Sequence, residues 1–292
     1  MKKHIFIFTA AAILVACSKD DPEPEKTYTN GITRVFEYLP APGQFINTMP
    51  AATAGDTPET MRRKAETALT GGSMISLGGF GGYVVFGFDH TIVNREGNDF
   101  LVKGNAHVNS AEPGVIMVSY DVNENSLPDD EWYEIAGSEY SKSSTIKNYE
   151  TTYYKPELEP LNPNEPEYIR WTDNQGGEGW LTKNNFHTQT YYPMWKGDSY
   201  TLKGTFMEAN IYDQSGNGTL WASPANGWGY ADNWVNTDAG AQIDIDWAVN
   251  SEGNTVHLKG IDFVKVICAN RAEGGWTGEI STEVSGFTDL NL

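Results

Sequence analysis

Tyr83-Val84-Val85-Phe86-Gly87-Phe88 is the stretch on which the fold turns. Almost every side chain in it is apolar, and most are β-branched or aromatic, as suits a strand buried on both faces. Just upstream, Gly78-Gly79-Phe80-Gly81-Gly82 precedes a strand rather than opening a helix, so it reads as a bulge or turn and not as a phosphate cradle. Far downstream, Gln242-Ile243-Asp244-Ile245-Asp246-Trp247 alternates strictly between polar and apolar, the pattern of a half-buried strand. Similar short runs fall at 33–38, 100–104, 115–120, 132–136, 149–154, 168–171, 200–205, 243–249, 256–258 and 263–267, punctuated by Gly, Asn, Asp and Pro. One segment differs. Thr57-Pro58-Glu59 opens a helix over 58–69 that closes on Gly71-Gly72, with Met61, Ala65, Ala68 and Leu69 on one face. About a dozen strands and one short helix predict an all-β fold, a single antiparallel β-sandwich of jelly-roll type. No linker divides residues 31–292, and the proline-rich stretch 155–166 fits a long surface loop.

The chain has 292 residues, with 20 Lys and Arg against 39 Asp and Glu, for a formal charge of −19. A nucleic-acid binder displaces counterions with a cationic face, so this balance argues against one. Lys2 and Lys3 precede an apolar run, Ile5 to Ala16, that is too short to span a bilayer. The run ends Leu14-Val15-Ala16-Cys17, which resembles the lipobox of bacterial lipoproteins. That resemblance implies removal of residues 1–16 as a signal peptide and a lipid on Cys17. Ser18-Lys19-Asp20-Asp21-Pro22-Glu23-Pro24-Glu25 resembles the acidic export signal of Bacteroidetes surface lipoproteins. It implies an acidic tether over 17–30 and the cell-surface face of the outer membrane, held by the lipid alone. The sandwich would then occupy 31–292. Cys268, in an apolar strand, is left as a lone inert thiol.

Two constellations carry binding chemistry. In Asp121-Val122-Asn123-Glu124-Asn125-Ser126-Leu127-Pro128-Asp129-Asp130, oxygens recur at alternate positions. Asp121, Asn123 and Asn125, a carbonyl near Leu127, and Asp129 and Asp130 form a candidate oxygen set for Ca²⁺. The pattern resembles thrombospondin-type and EF-hand-like loops. It departs from the latter at Ser126 (no turn glycine) and Trp132 (no bidentate Glu). A polar Asx-rich turn without metal is the competing reading. The second constellation is aromatic. Trp180, Tyr192, Trp195, Trp228, Tyr230 and Trp234 sit in polar, glycine-rich surroundings, with Asp232 and Asn233 among them. Flat rings beside amides and carboxylates suit stacking on sugars or other amphipathic ligands. The alternative is that the rings fill a sandwich core.

A wider resemblance runs through Phe88-Asp89, Ile92 and Asn94, then Asp99-Phe100, Gly104-Asn105-Ala106 and Ala111-Glu112-Pro113, to Val118-Ser119 and Asp121. It continues at Trp228 to Asn233, Asp244 to Val249 and Ile261 to Val266. Together these resemble bacterial cell-surface proteins with a galactose-binding-like jelly-roll sandwich. The likeness implies a structural Ca²⁺, with Asp89, Asn105, Glu112, Asp232 and Asn233 as further oxygen ligands or else turn-formers. Templates for zinc, nucleophilic serine and phosphate-loop chemistry are missing from the sequence. The expectation is a surface lipoprotein that binds rather than transforms its ligand, a glycan or a small nutrient such as a corrinoid passed to a TonB-dependent transporter. The alternatives are a carbohydrate-active hydrolase or lyase using acids such as Asp173, Glu178 and Asp198, and an adhesion protein.

Overall fold

The computed structural model describes residues 26–159 and 165–292. Cys17, the segment 1–16 and the tether up to residue 25 lie outside the described residues. In chain order the first strands are β1 (Arg34–Leu39), β2 (Ile75–Ser76), β3 (Tyr83–Val93), β4 (Phe100–Lys103), β5 (Gly114–Ser119) and β6 (Trp132–Ile135). They are followed by β7 (Ile146–Tyr154), β8 (Glu165–Asp173), β9 (Glu178–Lys183), β10 (Ser199–Phe206), β11 (Tyr212–Asp213) and β12 (Trp221–Ala222). The last are β13 (Tyr230–Ala231), β14 (Gln242–Ile243), β15 (Ala248–Val249), β16 (Gly260–Cys268), β17 (Glu283–Val284) and β18 (Gly286–Asp289).

A seven-stranded antiparallel sheet runs in the order β1-β3-β16-β5-β6-β15, with β13 also pairing on β5. Successive side chains point to opposite faces. Val84, Phe86, Ile116, Val118, Val264 and Val266 enter the large core. On the other face the register aligns Val85, Lys265, Met117 and Glu134 in one cross-strand row. Val85 is only 3% exposed, so β3 is covered on both sides at this point, as its composition requires.

The single α-helix among the described residues, α1 (Pro58–Thr70), begins on a reciprocal cap. Thr57 Oγ1 accepts the Thr60 N–H, while Thr60 Oγ1 accepts the Thr57 N–H. Met61, Ala65 and Leu69 are buried on the large core, and Met and Leu each contribute about 1.5–3 kcal/mol by leaving water. On the same helix Glu66 accepts the Val35 N–H and Arg62 donates to the Val35 carbonyl. Thus α1 satisfies polar backbone on β1, the edge strand of the sheet.

The four-stranded sheet β10-β7-β8-β9 has its own tyrosine-rich core, including Tyr153, Tyr168, Tyr191, Tyr192 and Tyr200. It packs against the outer face of the large sheet. At Gly204 an added Cβ would lie 3.1 Å from Ile267 Cγ2, which is tight for any side chain. Small sheets β14-β4-β18 and β2-β17 close the large core from the opposite side. The fold is all-β and sandwich-like.

Three local readings need correction. The alternating run 242–247 is not one strand. Asp244 accepts the Asp246 N–H at 2.8 Å and turns the chain into a 3-10 segment, Ile245–Trp247. Residues 256–258 form no strand. Conversely β9 was hidden, because Lys183 occupies its inward row. That lysine is 4% exposed, pairs with Glu159 at 3.0 Å and lies over the Tyr168 ring.

Candidate functional site

In the Asp121 loop the oxygens point back at the loop's own backbone. Asp121 accepts the N–H groups of Asn125 and Ser126, Asn123 that of Asn125, Asn125 that of Leu127, and Asp130 that of Val122. Asp129 accepts the amides of Asn123 and Asn125. Glu124 and Ser126 take left-handed backbone, at φ 57° and 59°. The geometry is that of a self-capped Asx turn, and a cation there would compete with these donors.

The predicted aromatic set divides. Tyr192 is 2% and Tyr230 3% exposed, and both are core side chains. Trp195 packs against the large core and Trp180 lies exposed on β9. Trp228, Asn233 and Trp234 brace one loop. Trp228 packs on Trp247 at 4.5 Å, Asn233 exchanges hydrogen bonds with the Asn226 backbone, and Trp234 Nε1 donates to Asn226 O. These contacts fix the segment that carries Asp232, and Trp228 remains partly exposed beside it. Of the other acids considered, Asp173 is paired with Arg271 at 3.2 Å and Glu178 with Arg170 at 2.8 Å. Asp89 pairs with His90, and Cys268 is free and buried.

A second gathering of acids lies behind the large core. Carboxylate oxygens of Glu112, Asp232 and Glu283 lie within 4.8 Å of one another. Asp232 sits in left-handed backbone (φ 50°). Its Oδ1 accepts the N–H groups of Asn105 and Ala106, and its Oδ2 that of Glu283. The chain passes so close that a Cβ at Gly104 would fall 2.1 Å from Asp232 Oδ1. Glu283 enters through the β2-β17 pairing, which sets it opposite Ser76. It accepts the Ser281 hydroxyl, itself 2.8 Å from Ser76 Oγ. Burial pushes all three carboxyls above their ordinary range, reinforced at Glu112 and Asp232 by the charge of Glu283.

A fourth acid stands beside them. Glu279 is 5% exposed, and burial pushes its carboxyl well up. Its Oε1 accepts the Gln44 N–H, while Oε2 has no partner. Glu279 and Glu112 line a pocket of about 100 Å³ together with Trp221, whose indole N–H is also buried and unpartnered. Thr277, on the 3-10 turn that carries Trp276, lines the same pocket. Trp276 is 50% exposed and meets exposed Phe186 edge-on at 5.8 Å. None of the four acids forms an ion pair among the described residues. The arrangement is therefore a pocket lined by two carboxylates, with one orphan acceptor and one orphan donor on its lining residues, next to the turn that carries exposed Trp276.

Glu279, Glu283, Trp221 and Trp276 were all missed from sequence. A usable signal existed at Gly274-Gly275-Trp276-Thr277-Gly278, which repeats the glycine-flanked setting of Trp228. Nothing local marks Glu283, because only the sheet pairing brings it to Glu112 and Asp232. No helix of the described residues is long and apolar enough to cross a membrane. A scan of protein-family models finds no match to the chain, and no curated protein matches it.

Proposed function

We propose that the protein is a lipid-anchored lipoprotein displayed on the outer membrane, where it binds a hydroxylated ring ligand of glycan type. The observation that carries the binding reading is the pairing of Glu279 Oε2 with Trp221 Nε1, two buried polar atoms without partners in one pocket. Ring hydroxyls both donate and accept, so such groups suit an unpartnered acceptor and an unpartnered donor alike. A pocket of about 100 Å³ takes the edge of a ring and not a whole one. The rest of the ring would extend past Thr277 toward exposed Trp276 and Phe186, stacking there as apolar sugar faces do on indole. A corrinoid macrocycle is too large for enclosure there. The lipobox-like Cys17 and the acidic tether support the surface location, and a TonB-dependent transporter is the partner this location suggests.

The test is a screen of neutral and acidic saccharides against wild type, Trp276→Ala and Glu279→Gln. Binding of a neutral saccharide that weakens tenfold or more in Trp276→Ala supports the proposal. Silence across the screen, or unchanged binding in both variants, removes it. Release of reducing ends in the same samples would turn the reading toward a hydrolase or lyase.

Ca²⁺ is proposed as a structural ion. The oxygen-only donor set of Glu112, Asp232 and Glu283 has the chemistry a hard cation takes, and it offers more carboxylates within reach of one point than the Asp121 loop does. When bound, the ion would neutralise acids that otherwise face one another.

A further inference from the structure

A groove of about 320 Å³ lies on the far face of the large sheet, between β5, β6 and β16 on one side and β7 and β10 on the other. It is independent of the carboxylate pocket. Its floor follows from the pleat. Lys265 pairs in register with Met117, and Met117 with Glu134, while Ile267 pairs with Val115 in the next row. Val115 and Ile267 make the floor apolar, and Trp132 and Tyr140 add aromatic surface.

The charges in this groove are unusual for so acidic a chain. Lys147, Lys203 and Lys265 all line it, against one carboxylate, Glu134. That carboxylate is spent. Its Oε1 binds Lys147 Nζ at 3.0 Å and its Oε2 accepts the Thr205 hydroxyl at 2.6 Å, tying the two sheets together. Lys147 also lies 3.2 Å from the centre of the Tyr140 ring. Lys203 has only a distant exposed partner, Glu150 at 3.6 Å. Lys265 has no carboxylate within 4 Å among the described residues, and its ammonium sits over the Tyr83 ring at 3.8 Å. Burial lowers the Lys265 pKa, and Glu37, which accepts the Tyr83 hydroxyl, offsets only part of that cost. An anion entering the groove would offset that cost, and the volume falls in the range of small-molecule sites.

We propose that this groove is a second ligand site, for a hydroxylated ring bearing one carboxylate, with Lys265 and Lys203 meeting the carboxylate and Trp132 and Tyr140 flanking the ring. The apolar floor rules against a bare inorganic anion as the preferred occupant, since such an ion leaves that floor unused. The acidic-sugar assignment rests on charge complementarity, and it stands whether or not the neutral-sugar pocket does.

The experiment compares a disaccharide ending in glucuronate with its glucose-terminated counterpart, by calorimetric titration of the full chain at low and high salt. Wild type should prefer the acidic disaccharide by tenfold or more at low salt, with the preference shrinking as salt rises. Lys265→Met keeps the apolar stem and should abolish the preference while leaving neutral binding unchanged. Exposed Lys203→Gln should reduce it about threefold, and it decides the matter if Lys265→Met does not fold. Trp276→Ala should leave binding of the acidic disaccharide unchanged while neutral binding weakens, which separates this site from the carboxylate pocket. Equal binding of the two disaccharides, an unaltered preference in the lysine variants, or displacement by inorganic phosphate at equal affinity would each overturn the proposal.

Discussion

The carboxylate pocket and the lysine groove sit on different parts of one scaffold and handle charge in opposite ways. At and behind the pocket, four acids gather with no ion pair among the described residues, and backbone N–H groups and a serine hydroxyl supply the compensation. In the groove, one carboxylate is shared between a lysine and a threonine, which leaves Lys203 and Lys265 without a carboxylate partner among the groove's lining residues. The difference teaches that a strongly negative chain need not present negative charge everywhere. Strand register sorts the charges. The β2-β17 pairing gathers acids behind the core, while the outward row of β16, β5 and β6 brings Lys265 beside the groove.

The largest effect is expected at Asp232. Asp232→Ala leaves three backbone N–H groups without their acceptor, and at about 1–3 kcal/mol for each buried orphan the loss should be near 3–5 kcal/mol in urea unfolding. A cost below about 1 kcal/mol would mean those donors find other partners.

Next comes pH. The folded-state carboxyls of Glu112, Asp232, Glu279 and Glu283 are all raised. Their contribution is therefore fully present below the ordinary carboxylate range and is lost as pH climbs through the raised folded values. In chelator, the melting temperature should fall from pH 5 toward pH 8. Added Ca²⁺ should restore it at pH 8, because a ligand held only by the folded state stabilises by mass action. A melt that is flat with pH and indifferent to Ca²⁺ would contradict the account of this cluster. Repeating the series in Asp121→Ala separates the two candidate ion sites. If Ca²⁺ rescue survives in that variant and fails in Glu283→Gln, the ion belongs with the buried acids.

A smaller change is expected from Asp121→Ala itself. It removes caps on two loop N–H groups and should cost about 1 kcal/mol by thermal or urea unfolding. The smallest is Trp276→Ala, whose half-exposed ring should leave stability within about 0.5 kcal/mol while saccharide binding weakens. A stability loss well above that would make Trp276 a structural prop and not a binding surface.

How much of this was legible in the chain depends on whether the signal is local. Period and composition in 83–88 specified a central strand, and Thr57-Pro58 with Gly71-Gly72 bracketed α1 to within a residue. Strand β9 was obscured by a lysine on its inward row, and 242–247 broke where an Asx cap outweighed a strand-like alternation. The candidate pocket was legible only in part. Glu112 and Asp232 were singled out through a resemblance, yet Glu279 and Glu283 meet them only through tertiary pairing, which no window of sequence displays. Local sequence does not separate the aromatic residues by burial. Tyr192 and Tyr230 fill cores, whereas Trp276, outside the dense aromatic region, is half exposed.

The most direct measurement is a two-dimensional ¹H–¹⁵N spectrum of the indole groups, of which the chain has nine, recorded while a neutral disaccharide is added. Trp221, whose buried N–H lacks a partner, should move most, with Trp276 following and Trp180 and Trp228 unmoved. Shifts centred on Trp180 or Trp228, or no movement of Trp221 at saturating ligand, would contradict the assignment of the pocket.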